Sequence, residues 1–463
     1  MSTATEQLEK LANFVVKTRW EDLPAPVARD AKYLLLDSIG CALAGISADP
    51  GKMAIALAKR LGGTPESSII GVGGKTSCVN AAFTNGQLIN TPDYDAIMPG
   101  GHAPPYIIPA VLAMAESMGA SGKELIVATA LGFEIAARIN SALVGPSPIS
   151  PRAFRWQDRQ GYANCNFGVA AGAGKLLNLD RDKMTHAMGI AGHLCQVLTW
   201  VRYSFSEHRH MTKYSVPGWQ NTGGVMAVLL AEMGYMGDTS LLDAEHGFWK
   251  FVGYESWHPE KMMEGLGETW QFTRVNYKPY PCCRVLHPAL ECLQSIMDKN
   301  NLRPDDIERI NAFLPRTVEA TCFTNRELTN VVDFQFGLPY VLAVVAHRIK
   351  VGMEWQDFDT LREPRIQDFA RKVNLQVHPD TEKEPQLTTI EVIAGGKKFK
   401  EEKRMPRGAA GDGLAMADAE LLEKFKHNAS RILTQDKIDG AVKSLLKLEA
   451  VKDVTELMEQ VTM

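Results

Sequence analysis

Residues 25–45, APVARDAKYLLLDSIGCALAG, decide the class of fold. Apolar side chains recur there at spacings of three and four residues, at Val27, Ala31, Leu34, Leu35 and Ile39. This spacing places them on one face of an α-helix, and Gly45 is a suitable residue to end that helix. The stretch therefore predicts a long helix that packs against a core.

Helical patterns of the same kind continue to about residue 265. The clearest are SGKELIVATALGFEIAARIN (121–140), NFGVAAGAGKLLNLD (166–180), RDKMTHAMGIAGHLCQVLTW (181–200) and PGWQNTGGVMAVLLAEMGYMG (217–237). The first begins with Ser121, which is followed three residues later by Glu124, the spacing of a capping box. Because no repeat of fixed period is evident, the sequence predicts an irregular helical domain rather than a solenoid.

The pattern changes after residue 268. Alternating, β-branched stretches typical of strands are TWQFTRVNYKPYPC (269–282), IERINAFLPRTV (307–318), VNLQVHPD (373–380) and LTTIEVIAGGKKFKEEKRM (387–405). Helical stretches lie between them, and the chain becomes helical again after the connector PRGAAGDG (406–413). We therefore predict a mainly α protein, with an all-α domain of residues 1–268 completed by the helices of 406–463, and a smaller α+β domain of residues 269–405.

The composition of the chain excludes several classes of binding partner. A chain of 463 residues with 45% hydrophobic residues, 22% charged residues and a formal charge of -4 has no basic field for nucleic acid. Its eight cysteines are scattered without a C-x-x-C pair, which argues against a zinc site or a disulfide framework. No apolar run approaches the about 18 residues of a membrane span, and the N-terminus lacks a signal-peptide core. We expect a soluble, cytoplasmic protein with reduced thiols and no membrane partner.

The stretch DYDAIMPGGH (93–102) is the first candidate site. His102 lies just before Pro104 and Pro105, residues that suit the first turn of a helix, and the positive end of that helix would attract a carboxylate. The preceding Gly-Gly pair, which includes Gly101, would let the backbone approach a ligand closely. A loop in which the aspartates cap turns and the histidine bonds locally is the alternative at this point.

The second candidate is a basic cluster between residues 155 and 213. Its members are Arg155, Arg159, His208, Arg209, His210 and Lys213. Such a cluster could bind a polycarboxylate or could form a solvated basic surface. The H-x-H pair has no nearby third ligand, and its basic neighbours would repel a cation, so we expect no metal site there.

Two further residues belong to weaker patterns. Lys278 lies at a strand-like end before a Pro-rich turn, where a lysine is ordinarily exposed. Adjacent Cys282 and Cys283 cannot easily converge on one iron–sulfur cluster. Tyr340 lies in an apolar helical pattern, where a core tyrosine with a bonded hydroxyl is the ordinary interpretation.

Together these motifs resemble the MmgE/PrpD family, which includes 2-methylcitrate dehydratases, cis-aconitate decarboxylases and iminodisuccinate epimerases. The matching order is D-x-D before a Gly/His loop, T-K before a Gly/Ala helix, K-x-Y-P before a histidine helix, and L-P-Y-V-L-A. The resemblance also includes LLDSIGCALAG (35–45), LLDAEHGFWKFV (241–252) and PRGAAGDGLAMADAELLEKF (406–425), and so spans nearly the whole chain.

The resemblance implies a large all-α domain and a smaller α+β lid domain. It also implies catalytic roles for His102, Asp93, Lys213, Lys278 and Tyr340. Substrate-binding roles would then belong to Arg159, Tyr162, His208, Arg209 and Gly101. No metal or cofactor is expected, and family membership implies a homodimer.

Three departures from the family pattern surround the first candidate site. The motif D-F-D-D-T of the family reads D-Y-D-A-I here, with Ala96 and Ile97 in place of an acid and a hydroxyl. The histidine lies in PGGHAPP rather than before a single proline. Tyr162 stands near the position where decarboxylases of the family have a histidine, which argues against decarboxylation.

The family reactions share a carbanion next to a carboxylate or imine, which needs an acid or base and cations to absorb charge. We therefore predict a cofactor-free lyase for a small di- or tricarboxylate, and we favour a dehydration of the 2-methylcitrate type as its reaction. Lys213 and Lys278 would bind carboxylates, with help from Arg159 or Arg209, and His102 would move the α-proton. Asp93 would orient His102 or a substrate hydroxyl. Tyr340 would protonate the leaving hydroxyl or hold the substrate. The alternatives are a cis-aconitate-type decarboxylase, an iminodisuccinate-type epimerase and a non-catalytic carboxylate-binding protein.

Overall fold

The computed structural model describes residues 3–98, 101–144, 162–196, 200–206, 210–213, 215–411 and 413–463. Over these ranges the chain is mainly helical, with small sheets, and this confirms the predicted fold class. The first six helices are α1 (Ala4–Lys17), α2 (Ala25–Gly45), α3 (Asp49–Leu61), α4 (Cys78–Asn90), α5 (Pro104–Ser117) and α6 (Gly122–Ala142). The next six are α7 (Asn164–Leu176), α8 (Arg181–His193), α9 (Trp200–Phe205), α10 (Pro217–Glu232), α11 (Phe248–Phe251) and α12 (Pro259–Met263).

Helix α2 ends at Gly45, and α6 begins with the predicted capping box. The Ser121 hydroxyl accepts from the Glu124 backbone N–H, while the Glu124 carboxylate accepts from the Ser121 backbone N–H. Small residues let α6 and α7 approach closely, because a Cβ on Gly168 would lie 2.4 Å from the Gly132 carbonyl oxygen. Helix α6 is long and apolar enough to cross a membrane, but 89% of its most apolar window is buried in the protein, as in the core helix of a soluble protein.

The last three helices of the chain pack against helices from its first part. They are α19 (Asp418–Ala429), α20 (Gln435–Leu446) and α21 (Val454–Gln460). Helix α19 packs on α2, where the Phe425 ring lies 3.2 Å from the position of a Cβ on Gly40. One apolar core therefore combines side chains from between Leu8 and Val275 with side chains from between Met416 and Val461.

A second apolar core lies in the α+β part of the chain, between Tyr280 and Ala394, and also includes Tyr203. Its helices are α13 (His287–Lys299), α14 (Thr321–Thr324), α15 (Val331–Phe336), α16 (Leu338–Ala346), α17 (Phe358–Arg362) and α18 (Pro364–Arg371). The domain boundaries at residues 268 and 405 stay a prediction.

Four strands of the second domain form a mixed sheet in the order β6-β5-β7-β8. The strands in the described residues are β1 (Ser67–Ser68), β2 (Lys75–Thr76), β3 (Leu143–Val144), β4 (Ser256–Trp257), β5 (Ile307–Leu314), β6 (Val373–Val377), β7 (Thr388–Ala394) and β8 (Lys397–Lys403). Strand β5 pairs with β6 in parallel and with β7 antiparallel, and the β7–β8 hairpin turns at Gly395 and Gly396, with φ of 56° and 70°. Consecutive positive φ angles suit glycine in such a turn.

The predicted strand in residues 269–282 is wrong. This segment runs as turns and irregular backbone, and within the described ranges it pairs with another segment only at one isolated bridge, between Asn276 and Ile97. The backbone N–H groups of Gln271 and Phe272 donate to the buried Glu134 carboxylate instead of to a neighbouring strand. Side chains that accept backbone hydrogen bonds in this way compete with a sheet ladder.

Candidate active site

Two irregular segments meet where the two apolar cores adjoin, one after α4 and one before α13. Asp93 lies on the first, with its side chain buried and a left-handed backbone conformation, φ 52°. Lys213 approaches it from the segment before α10 and also has a left-handed conformation, φ 49°. Such conformations are costly in residues other than glycine and concentrate at functional sites, where the surroundings hold them.

The Asp93 carboxylate lies between two buried ammonium groups. Its Oδ2 is 2.8 Å from Lys278 Nζ, and its Oδ1 is 3.2 Å from Lys213 Nζ. Lys278 also donates to the Asp93 backbone carbonyl at 2.7 Å, and Lys213 donates to the Asn90 carbonyl at 2.6 Å. The sequence predicted an exposed lysine at position 278 from the turn alone, but its side chain is 0% exposed.

Two cations share one carboxylate in this cluster, and the pKa values reflect that imbalance. Burial raises the pKa of Asp93, but the charges of Lys278 and Lys213 lower it by more and hold it well below its usual range. Burial lowers the pKa of Lys213, and repulsion from Lys278 lowers it further. Attraction to Asp93 and Asp95 raises this pKa, but by less, so that it stays below its usual value. When both lysines are protonated, the three groups carry one net positive charge, which suits an incoming anion.

His102 is oriented by Asp95 and not by Asp93, which corrects the first of the two predicted roles of Asp93. His102 Nδ1 lies 2.7 Å from Asp95 Oδ2, and the Asp95 side chain is fully buried. Helix α5 begins two residues after His102, as the prolines predicted. The bond from Nδ1 to the Asp95 carboxylate therefore fixes the orientation of the His102 ring.

Tyr162 packs beside this histidine. The rings of His102 and Tyr162 meet edge to face at 6.4 Å, and Tyr162 stacks on Tyr106 at 4.4 Å. A Cβ on Gly101, where φ is 122°, would lie 2.6 Å from the Tyr162 ring. The absence of a side chain at Gly101 therefore makes room for the Tyr162 ring, and the predicted role of Gly101 in substrate binding stays a prediction.

Tyr340 lies apart from these groups, in the core of the second domain. Its hydroxyl donates to the Trp355 backbone carbonyl at 2.6 Å, and its ring packs against Phe334. Burial raises the pKa of Tyr340 well above its usual range, and the charged groups that act on it are Asp357 and Glu363. This is the core tyrosine that the helical pattern indicated, so we leave Tyr340 out of the proton-transfer groups.

Three predicted binding residues, Arg159, His208 and Arg209, lie outside the described residues, as does Arg155. Within the part of the chain that the structure describes, no three His, Cys, Asp or Glu side chains are grouped to hold a metal ion. All eight cysteines are free thiols.

Two buried glutamines of the second domain hold the loop that carries Asp93. Gln335 Nε2 donates to the Thr91 carbonyl at 2.6 Å, and Gln356 Nε2 donates to the Pro92 carbonyl at 2.6 Å and the Pro281 carbonyl at 2.9 Å. The two amides also bond to each other at 2.9 Å. Sequence reasoning missed both residues because nothing in a glutamine's local pattern shows what its amide contacts.

Gln356→Leu is expected to lower the free energy of unfolding by about 1–3 kcal/mol, because it leaves buried carbonyl groups without donors. Urea denaturation measures this. Gln367→Leu is the control, since half-buried Gln367 in the same domain donates to a single carbonyl, that of Leu361. Equal losses in the two variants would contradict the special role of Gln356.

A second buried ion pair joins α2, α19 and both site segments. Lys424 Nζ lies 2.6 Å from Asp37 Oδ1 and donates to the carbonyls of Tyr94 at 2.7 Å and Lys278 at 3.2 Å. Asp37 Oδ2 accepts from the Ala96 backbone N–H at 3.1 Å. Both residues lie in motifs that carry the family resemblance, LLDSIGCALAG and ELLEKF, but their helical spacing showed only burial.

The site is thus a buried pair of lysines around one carboxylate, next to a histidine that another carboxylate holds, at the contact between the two apolar cores. The chain belongs to the MmgE/PrpD family. The N-terminal domain of that family matches residues 9–259, and its C-terminal domain matches residues 280–448.

Curated relatives are similar over almost their whole length. A cis-aconitate decarboxylase of Aspergillus terreus is 25% identical over 95% of this chain and 92% of its own length. The cis-aconitate decarboxylase-like protein oryM of Aspergillus oryzae is 26% identical over 97% and 96%, and the Homo sapiens cis-aconitate decarboxylase is 24% identical over 93% and 89%. These relatives indicate an enzyme of the lyase class.

Proposed function

We propose that the protein is a cofactor-independent lyase for a small polycarboxylate, and that decarboxylation of a cis-aconitate-like tricarboxylate is its reaction. The observation that carries the proposal is the joint burial of Lys213, Lys278 and His102 around Asp93 and Asp95. The names of the relatives support decarboxylation over the dehydration that the residues first suggested.

In this reaction the bond from carbon to one carboxylate breaks, and CO2 leaves. The electron pair stays behind and spreads over the neighbouring double bond and carboxylate, where ammonium groups stabilise it. Lys213 and Lys278 supply those ammonium groups. His102, protonated at Nε2 and paired with Asp95 through Nδ1, gives its proton to the resulting carbanion.

Dehydration of a hydroxy-tricarboxylate such as 2-methylcitrate is the second candidate, and Tyr162 favours it. Here neutral His102 takes the α-proton, the carbon–oxygen bond breaks, and the hydroxyl leaves as water with a proton from a second donor. The Tyr162 hydroxyl is a suitable donor because it lies beside His102, where it accepts a hydrogen bond from the His102 backbone.

Proton NMR in deuterated water tests the proposal with citrate, 2-methylcitrate, cis-aconitate and an iminodisuccinate-like compound. Loss of CO2 from cis-aconitate with one deuterium gained is the expected result. Water loss would favour the dehydratase, and deuterium gain alone would favour an epimerase. Binding of a tricarboxylate without any turnover would contradict an enzymatic function.

Affinity for a tricarboxylate is expected to fall as the pH rises, and to do so at a lower pH than that at which an ordinary lysine loses its proton. The pKa of Lys213 is lowered, so Lys213 loses its charge below the usual value of about 10.4 and then attracts a carboxylate less. Calorimetric titration with cis-aconitate between pH 7 and pH 10 measures the change. Lys213→Met should bind more weakly at neutral pH and lack this step; an unchanged step would contradict the assignment to Lys213.

A homodimer and a cytoplasmic location complete the proposal. Size-exclusion chromatography with light scattering tests the first of these, and imaging of the tagged protein in its host cell tests the second.

A further inference from the structure

We propose that Lys424 is a positioning residue of this active site: it fixes the backbone segments that carry Asp93, Asp95 and Lys278 relative to each other. The inference rests on the proposed function. It adds a residue of the C-terminal helix α19 that lies more than 140 positions along the chain from any of the groups it holds in the site.

The Lys424 ammonium group has three protons and three acceptors. One acceptor is the Asp37 carboxylate on α2, and the other two are the backbone carbonyls of Tyr94 and Lys278. The side chain is 4% exposed, and its Nζ lies 3.8 Å from the centre of the Tyr94 ring. An ammonium group can donate three hydrogen bonds, so this one is saturated and has a single geometry.

The two carbonyls belong to the two segments that form the site. Tyr94 stands between Asp93 and Asp95, so a bond to its carbonyl fixes the carboxylates that face the lysines and His102. The bond to the Lys278 carbonyl fixes the start of the lysine side chain that reaches Asp93 at 2.8 Å. Asp37 adds a further contact to the first segment, because its carboxylate accepts a hydrogen bond from the Ala96 backbone N–H.

A simple ion pair between α2 and α19 would need only Asp37 and Lys424. The two additional acceptors lie in the site segments, and one cation therefore sets the distance between them. Errors of about 1 Å in the placement of reacting groups can cost about a hundredfold in rate. Loss of the hydrogen bonds from Lys424 should therefore lower turnover even when the protein folds.

Arg138 offers a matched control. It is also a fully buried cation paired with a buried carboxylate, that of Glu134 at 2.6 Å. It also donates to backbone carbonyls, at Met262 and Thr269 among others, but these lie outside the two site segments. Its loss should perturb the fold without changing the geometry of the site.

The test uses neutral double variants, because a single Lys424→Met substitution would leave the buried Asp37 carboxylate without its counter-charge. Asp37→Asn/Lys424→Met is compared with Glu134→Gln/Arg138→Met and wild type, each at a measured folded fraction. For the first variant we expect kcat on cis-aconitate to fall about 10- to 100-fold per folded molecule, with a smaller change in KM. For the control we expect both constants within about twofold of wild type.

Hydrogen exchange provides a readout that does not depend on turnover. Amides of residues 91–97 and 276–281 should exchange at least about tenfold faster in Asp37→Asn/Lys424→Met and not in the control. A folded Asp37→Asn/Lys424→Met protein with wild-type kcat and exchange would overturn the inference. If wild type turns over none of the candidate substrates, the proposed function fails, and the exchange comparison alone then decides whether Lys424 positions these segments.

Discussion

His102→Asn is expected to lower kcat by about 10²- to 10⁴-fold, the contribution typical of a positioned acid or base. The amide of asparagine can still donate to Asp95 from nearly the position of Nδ1, so the buried carboxylate keeps its partner. The group lost is Nε2, which carries the proton in both candidate reactions. Steady-state kinetics on the substrate found by NMR, with circular dichroism to verify folding, measures the effect.

His378→Asn is the control for this substitution. His378 is also buried, but it lies in the second domain and bonds to Thr389 at 3.0 Å. Its loss should leave kcat per folded molecule within about twofold of wild type. Full turnover by folded His102→Asn would show that another group moves the proton.

Asp93→Asn is expected to lower the free energy of unfolding by about 3–5 kcal/mol, because it leaves two buried ammonium groups without a counter-charge. The pKa of Asp93 is lower in the folded protein than in the unfolded chain, where it is about 3.9. Ionised Asp93 therefore stabilises the fold fully above about pH 3.9, and this stabilisation is lost as the pH falls through the pKa of the folded protein. The difference between wild type and variant should therefore be constant from neutral pH to about pH 4 and then narrow. Urea denaturation across this range measures it.

Two further variants make the reason for this loss specific. Asp93→Asn/Lys213→Met removes one of the two uncompensated charges and should recover part of the stability. Asp368→Asn breaks an exposed ion pair with Arg371 and should change stability by no more than about 0.5 kcal/mol. A stable Asp93→Asn protein would mean that the lysines lose their protons and that no buried charge cluster exists.

Much of the fold could be predicted because helical periodicity is local. The apolar spacing in residues 25–45 gave α2, and the Ser121–Glu124 pair gave the start of α6. The alternation in residues 387–405 predicted strand structure, and the structure shows there the two paired strands β7 and β8. The strand expected in residues 269–282 failed because its backbone bonds to Glu134, a residue more than a hundred positions away.

The candidate site, too, could be predicted from the sequence only in part. The residue types and their order identified Asp93, His102, Lys213 and Lys278 as a group, and the structure brings them together. They did not show which aspartate holds His102, and they suggested a catalytic role for Tyr340, whose hydroxyl bonds to Trp355.

The sequence by itself determined the mainly α class, the change to α+β in the second part of the chain, the family, and which residues could carry acid–base chemistry. Only the tertiary structure decided that Asp93 pairs with two lysines, that Asp95 orients His102, and that Gln335, Gln356 and Lys424 hold the site segments. The physical reason is the range of the interactions. Helix and strand patterns arise from neighbours along the chain, whereas a buried charge is stabilised by partners from distant segments, which meet only when the two cores have formed.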